Sequence, residues 1–520
     1  MANLTSLIPP TSVPGLAPDN PLDVPEILVQ VSTYLSPRDV HRCLFVNKSF
    51  RAVFARIFWR SVRLGPDQDT PYATLNAVRA NAHLIQSLGI VWESTHFCAP
   101  YLRLDFPVLT ELRIEMSDCP YPFSKKSPLG TKLYAFLCRH STRIQALLVA
   151  HRTFKDNSSV FWKSIARLAA LSTVELVNLS LVGNVLGDTL LKMFSTLQSL
   201  RLDSVHLLEL WTTFQDNDRS TLRKIECQNC FFDAESLQSL CHLMKISADL
   251  RVLIWGDWIM IEKKKQRQGT TFEPILGIIG SELPWNNLDR LDVHNIAGDT
   301  MVNTFKAFPR GVPNVMLTEA TMNEEGHVTL LQNFASNLTT IVFEFCEGLK
   351  SSMIQDVLCS CNNLLSVTTD VSLMCSSVMR SSKPWACSKL QKWAISVVID
   401  EEGERQEDDD DRLEDHYRCI FEKLSQLRQL RVLNVGSLRG FLDKRVPFLT
   451  FRESAGVRSL STLQRMQVLC ATGTGQVLSR GDWEWLIQTF RGLKRVVGFC
   501  TAEDEMAEWQ DALDRRAIIH

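Results

Sequence analysis

Cys227 and Cys230 stand in a C-x-x-C spacing with His242 downstream, the arrangement in which two thiolates can share a zinc ion. A closed zinc site takes four ligands, and no second C-x-x-C or paired histidine completes this set. Both cysteines also sit among apolar residues, where a reduced thiol packs as a small hydrophobe. No metal is therefore expected. Gly473 and Gly475 form a lone G-x-G, without the lysine and helix start that a phosphate-binding loop requires. The 11 histidines are dispersed, and the sequence contains no G-x-S-x-G, H-E-x-x-H or P-loop. No catalytic residue and no cofactor is expected, and the chain is read as a non-enzyme. Two charge runs remain. Glu401, Glu402, Glu404, Glu407 and Asp408 to Asp411 form an acidic stretch, and Lys263, Lys264, Lys265 and Arg267 a basic one. The first fits either a docking element for a basic partner or a solvated loop; the second fits either a nuclear import signal or a surface loop. The loop reading is the simpler for both.

The bulk composition points the same way. A chain of 520 residues exceeds one ordinary core, so several domains or a repeat array are expected. Lysine plus arginine (56) nearly balances aspartate plus glutamate (58), which argues against nucleic-acid and membrane-surface partners. The 15 cysteines are scattered through apolar segments, unlike a disulfide scaffold. No signal peptide and no stretch of about 18 apolar residues is apparent. An intracellular protein, cytoplasmic or nuclear, is the expectation.

The elements that would position a binding surface begin after a proline-rich tail at 1–21. Asp23 with Glu26 reads as a capping box, closed by a staple between Leu22 and Ile27. Val24, Ile27, Leu28, Val31 and Leu35 follow at helical spacing. Ser36 caps a second helix with Pro37 in its first turn. Asn47 caps a third helix, with Phe50, Val53, Phe54, Ile57 and Phe58 on one face. Three short helices bury too little to be comfortable alone, and such a module usually leans on a partner.

These residues carry a family resemblance. The segment Leu22-Asp23-Val24-Pro25-Glu26-Ile27-Leu28, then Tyr34 to Val40, then Val46 to Phe50, and finally Trp59, resembles an F-box over 22–64, with Val24 replacing the usual leucine. The resemblance implies docking on a Skp1-like adaptor through Val24, Pro25, Ile27, Leu28, Val31, Leu35, Leu44 and Val46.

From 65 to 501 the chain repeats. In the pattern L-x-x-L-x-L, apolar residues at k, k+3 and k+5 face a common core. Clear copies start at Leu171, Leu197, Leu222, Leu250, Val312, Leu338, Leu364 and Leu390, the last four at equal steps of 26 residues. Weaker copies start at Ile85, Leu109, Ile144, Leu288, Leu430, Leu463 and Leu493. Only Thr369 and Gly498 break the apolar pattern. Each copy reads as one strand plus a return segment, helical at Met353 to Leu358. The units resemble degenerate leucine-rich repeats, with the k+8 cysteine of that family at Cys230 and Cys346. The predicted fold is α/β: a leucine-rich-repeat solenoid, a horseshoe with a parallel sheet on its concave face and helices outside, preceded by the three-helix F-box. Insertions are expected at 117–131, 262–271 and 401–415, and a terminal cap at 502–520, where Met506, Trp509 and Leu513 have helical spacing.

Together these resemblances imply a substrate-recognition adaptor of an SCF-type ubiquitin ligase, reaching a cullin and a RING subunit through Skp1. The alternative is a leucine-rich-repeat interaction scaffold with no ubiquitin role. Target specificity would come from the outward strand positions k+2, k+4 and k+6, namely Lys224, Glu226, Arg290, Asp292, His294, Glu344 and Asp370. Their mixed signs disfavour a nucleic-acid tract.

Overall fold

A computed structural model describes residues 24–65, 74–92, 98–116, 128–155, 159–182, 189, 192–193, 196–208, 219–262, 265–267, 287–296, 298–380, 383–398, 410–436, 448–452 and 455–501. The expected tail at 1–21, residues Leu22 and Asp23, the acidic residues 401–409 and the expected cap at 502–520 lie outside them. The chain divides into two compact units, Met1–Val174 and Glu175–His520.

The first unit opens with three helices, α1 (Pro25–Ser32), α2 (Pro37–Cys43) and α3 (Lys48–Phe58). Pro25 occupies the first turn of α1, where its missing N–H costs nothing. The N-cap is Val24, whose side chain makes no capping bond; the expected capping box involves Asp23, outside the described residues. The other two caps form as expected. Ser36 accepts from the Asp39 N–H, and Asn47 accepts from the Phe50 N–H at 2.8 Å.

A parallel ladder follows without a linker. The strand Ser61–Leu64 pairs with Ser87–Trp92, that strand with Glu111–Met116, and that one with Ala146–Lys155. The register aligns Ser61, Ser87, Glu111 and Ala146, each at position k+2 of its repeat. Trp59, Val62 and Leu64 thus fill the k, k+3 and k+5 slots of a repeat that sequence reading assigned to the helical module. All three are buried.

In the second unit the main ladder runs through Ser199–Asp203, Lys224–Gln228, Val252–Trp255, Arg290–His294, Asn314–Thr318, Thr340–Glu344, Ser366–Thr369, Lys392–Ala394, Val432–Asn434, Val468–Cys470 and Arg495–Val497. Every pair is parallel and in register at k+2. Return segments include the helices Ala234–Ile246, Gly298–Lys306, Glu324–Phe334, Ser351–Ser360 and Arg480–Thr489. The predicted core residues that open each repeat are all buried, from Ile85 to Leu493. This alternation of parallel strand and outer return segment is the leucine-rich-repeat fold.

The two apolar gaps have local explanations. Thr369 turns its hydroxyl to accept the Val371 N–H at 3.0 Å, so the buried polar atom is satisfied. Gly498 adopts φ +79°, and a Cβ there would lie 2.3 Å from the Thr472 amide nitrogen.

A corner that sequence reading missed ends many strands. The described non-glycine residues with left-handed backbone are Asn178, Ser204, Asn229, Asn295, Glu319 and Phe345. All fall at k+7. Asparagine tolerates this conformation well, whereas glutamate and phenylalanine do not.

Four sequence expectations need correction. The repeat placed at Leu463 starts at Met466, because Val432 pairs with Val468 and therefore sets that residue at k+2. Leu460, Leu463, Met466 and Leu469 recur every third position and are all buried, so the pattern alone fits either start. With the corrected start, Gly473 becomes a k+7 corner at φ +78°, which accounts for the first glycine of the G-x-G. Within the basic insertion, Lys265–Arg267 is a strand antiparallel to Trp258–Glu262, while Lys263, Lys264 and 268–271 lie outside the described residues. The 401–415 loop is too long, since helix Asp410–Ser425 claims its last residues, and helix Pro128–Arg139 likewise shortens the 117–131 insertion.

Candidate functional site

The helical module has a minimal core. Leu28, Val40 and Phe54 are buried together, with Leu35, Cys43, Leu44, Phe50, Val53, Ile57 and Phe58 packed around them. Capping holds the short helices in place. The Ser36 hydroxyl donates to Asp39 Oδ2 at 2.6 Å, and Arg42 reaches Asp39 Oδ1 at 3.2 Å. This last pair is solvent-exposed and adds little stability.

Against that small interior the module exposes a large apolar surface. Tyr34 is 88% exposed, Phe45 75%, Val46 60% and Val31 37%. They form two pairs. The Tyr34 N–H donates to the Val31 carbonyl just past α1, while Phe45 and Val46 lie in the turn between α2 and α3. The His41 ring meets Phe45 edge-on at 5.2 Å and lies 5.2 Å from Phe58, bracing the exposed ring against the module. Exposed aromatic and β-branched side chains are thus concentrated on one small module.

The eight positions expected to dock divide accordingly. Pro25, Val31 and Val46 are exposed, and Val24 and Ile27 half-buried. Leu28 is 1% exposed, and Leu35 and Leu44 pack against it. Leu28 holds a central place on the inward face of α1, in the core of the module. Tyr34 and Phe45, the most exposed of these side chains, are not among the eight. Both fall outside the helical apolar periodicity, and that misfit is the signal that could have found them.

The polar candidates on the strands all lie on the outward sheet face, but not as one site. Lys224 Nζ is 2.7 Å from Glu226 Oε2, and Arg201 Nε is 3.1 Å from Glu226 Oε1. Arg290 grips Asp292 through Nε to Oδ1 at 2.9 Å and Nη2 to Oδ2 at 2.6 Å. The hydrogen bonds it donates to Asp292 hold the Arg290 guanidinium above its usual range. Glu226 and Asp292 are buried beneath these partners, so their charge is spent within the chain. His294 and Glu344 flank Thr318 on either side in the ladder. Asp370 Oδ2 accepts the Phe345 N–H at 3.0 Å.

Cys227 and Cys230 are buried, and burial pushes the Cys227 thiol well up. At k+8, the Cys230 Sγ lies 3.3 Å from the Gln228 carbonyl, and the Cys346 Sγ 3.5 Å from the Leu317 carbonyl. Each thiol thus donates to a backbone carbonyl, that of Cys346 reaching the strand of the preceding repeat. Among the described residues no group of three or more His, Cys, Asp or Glu side chains could hold a metal ion. No described helix is long and apolar enough to cross a membrane.

Comparison with known families matches residues 25–65 to the F-box-like family. These residues are an F-box-like domain, and leucine-rich repeats follow it. No curated protein matches the chain. Among solved structures, the chain is similar to the TLR13 chain of a TLR13–ssRNA13 complex, at 11% identity and TM-score 0.37, covering 82% of this chain and 57% of that one. It thus spans little more than half of that protein's length. It is also similar to a chain of the yeast Rad7–Elc1 complex, at 16% identity and TM-score 0.30, covering 68% of this chain and 94% of that one. An internalin from Listeria monocytogenes matches at 11% identity and TM-score 0.30, covering 82% and 84%.

Proposed function

We propose that the chain is the substrate-recognition adaptor of an SCF-type ubiquitin ligase, in which the F-box-like domain docks on a Skp1-like protein and the repeats hold a protein target. The observation that carries this reading is the exposure of Val31, Tyr34, Phe45 and Val46 on a domain that matches the F-box-like family. Val24, the N-cap of α1, with Pro25 and Ile27 inside that helix, extends the docking surface. Through Skp1 the chain joins a cullin and a RING subunit, and it supplies no catalytic group of its own. Its contribution is proximity: a tethered target meets the charged conjugating enzyme at high effective concentration. The compartment is intracellular, and neither nucleic acid nor membrane is a partner.

Co-expression with Skp1, cullin and the RING subunit tests the assembly. Size-exclusion chromatography should recover one complex containing all four chains. Separate elution of the folded chain would contradict the adaptor reading and leave a leucine-rich-repeat scaffold with no ubiquitin role.

A further inference from the structure

The outward face of the second unit changes character along the ladder. In its early strands the charges answer one another: Arg201 reaches Glu175, Asp203 and Glu226, Lys224 reaches Glu226, and Arg290 holds Asp292. The next strands differ. Their k+4 positions are Met316, Val342, Thr368 and Ala394, aligned side by side by the register. This row carries no charge. Met316, Val342 and Thr368 are half-buried and Ala394 is buried, so the row forms a shallow, weakly polar strip.

The strip has an acidic, aromatic rim at the carboxyl ends of its strands. The Glu319 N–H donates to the Glu344 carbonyl at 2.8 Å, and the Phe345 N–H donates to Asp370 Oδ2 at 3.0 Å. Glu319, Glu344, Phe345 and Asp370 are therefore neighbours across three successive repeats. Glu319 is exposed and Phe345 is 57% exposed. Among the described residues neither Glu319 nor Glu344 forms an ion pair, in contrast to Glu175, Glu226 and Asp292. Both Glu319 and Phe345 sit at the left-handed k+7 corner, which other repeats give to asparagine, serine or glycine.

We propose that this strip takes an extended segment of a protein partner in which lysine or arginine adjoins apolar residues. The apolar side chains lie along the Met316–Val342–Thr368–Ala394 row. The cation sits between the Glu319 and Glu344 carboxylates, over or beside the Phe345 ring, where ion pairing and cation–π attraction act together. The same carboxylates repel phosphate, so nucleic acid and anionic lipid do not fit this face. The proposal rests on the reading that the repeats hold the protein target, and it names that target's chemistry.

The full chain would be screened against an immobilised array of random decapeptides, beside Glu319→Lys/Glu344→Lys, Glu319→Gln/Glu344→Gln and Phe345→Ala variants checked by circular dichroism. The parent should select peptides with lysine or arginine next to apolar residues. The neutral double variant should bind them about tenfold more weakly, roughly one lost charge-assisted contact, and the lysine variant should turn to acidic peptides. Phe345→Ala should weaken selection without changing its sign. Selection of no basic class, or equal binding of the basic peptides by parent and lysine variant, overturns the proposal; so does preferential binding of oligonucleotides or anionic vesicles. Skp1 binding measured on the same preparations separates the two readings. Retained Skp1 binding without basic selection sinks only this proposal, and basic selection without Skp1 binding sinks only the adaptor reading.

Discussion

Trp59 and Ile85 occupy the same core slot in successive repeats, each two residues ahead of a paired serine, Ser61 and Ser87. Trp59 is also the C-cap of α3. The last residue of the helical domain is thus the first core residue of the ladder, and no spacer lets the two move independently. On the proposed reading, a helical domain fused in this way would fix the direction in which the first repeats leave the Skp1-like partner.

Trp59→Ala should cost about 3–5 kcal/mol, the usual range for emptying a large buried aromatic site. Hydrogen exchange should accelerate both in α3 and in Ser87–Trp92. Acceleration confined to α3 would show that the helices and the first repeat fold separately.

Leu28 and Tyr34 lie six residues apart in sequence and should behave in opposite ways. Leu28→Ala removes a core side chain and should destabilise the first unit by about 2–5 kcal/mol. Tyr34→Ala should leave thermal stability within about 0.5 kcal/mol of the parent, as surface changes usually do. Thermal melts of both variants check the contrast.

Stability should fall on mild acidification. Burial lowers the basicity of His140, outweighing Asp105, whose Oδ1 lies 3.8 Å from Nδ1, while Arg143 and Arg139 lower it further. Burial likewise lowers His327, against the opposing effect of Asp356. A histidine with a depressed folded pKa takes up its proton more readily when unfolded. Its stabilising contribution is therefore present above the unfolded value of about 6.5 and is lost as pH falls through the folded value. Melting temperature should drop between pH 7.5 and pH 5, and His140→Phe should reduce that drop. An unchanged pH slope in the variant would remove His140 from the account.

Thiol reactivity should follow burial. The Cys98 and Cys346 thiols are pushed up to about 11, and Cys241, Cys361 and Cys387 to about 12, chiefly by burial. Cys138 and Cys500 are exposed. Brief iodoacetamide treatment of the native chain at pH 8, read by peptide mass spectrometry, should label Cys138 and Cys500 and spare the other five. Early labelling of Cys361 or Cys387 would place that repeat outside the packed core.

What was legible in the sequence was what repeats. Leu338, Ile341 and Phe343 show the inward spacing directly, because burial of a parallel strand demands an apolar residue at each inward position. The k+7 corner escaped notice because conformation, not residue type, is what recurs there: Asn295, Glu319 and Phe345 share a backbone angle and no chemistry. The slip from Met466 to Leu463 came from four buried residues at equal spacing, which only strand pairing resolves. In the helical module, helical spacing located Leu28 but could not tell an inward position from an exposed one. Tyr34 and Phe45 break that spacing, and the structure shows both exposed. The pairing of Arg290 with Asp292 was open to inspection two residues apart, yet its consequence, a spent charge, depends on the burial of the carboxylate.

The most direct test of the adaptor reading is calorimetric titration of Skp1 into the full chain and into a Tyr34→Ala/Phe45→Ala variant of equal melting temperature. The account predicts tight binding by the parent and a loss of about 2 kcal/mol or more in the variant, since exposed aromatic anchors dominate such interfaces. Equal affinities for parent and variant, or no heat with the folded parent, would contradict it.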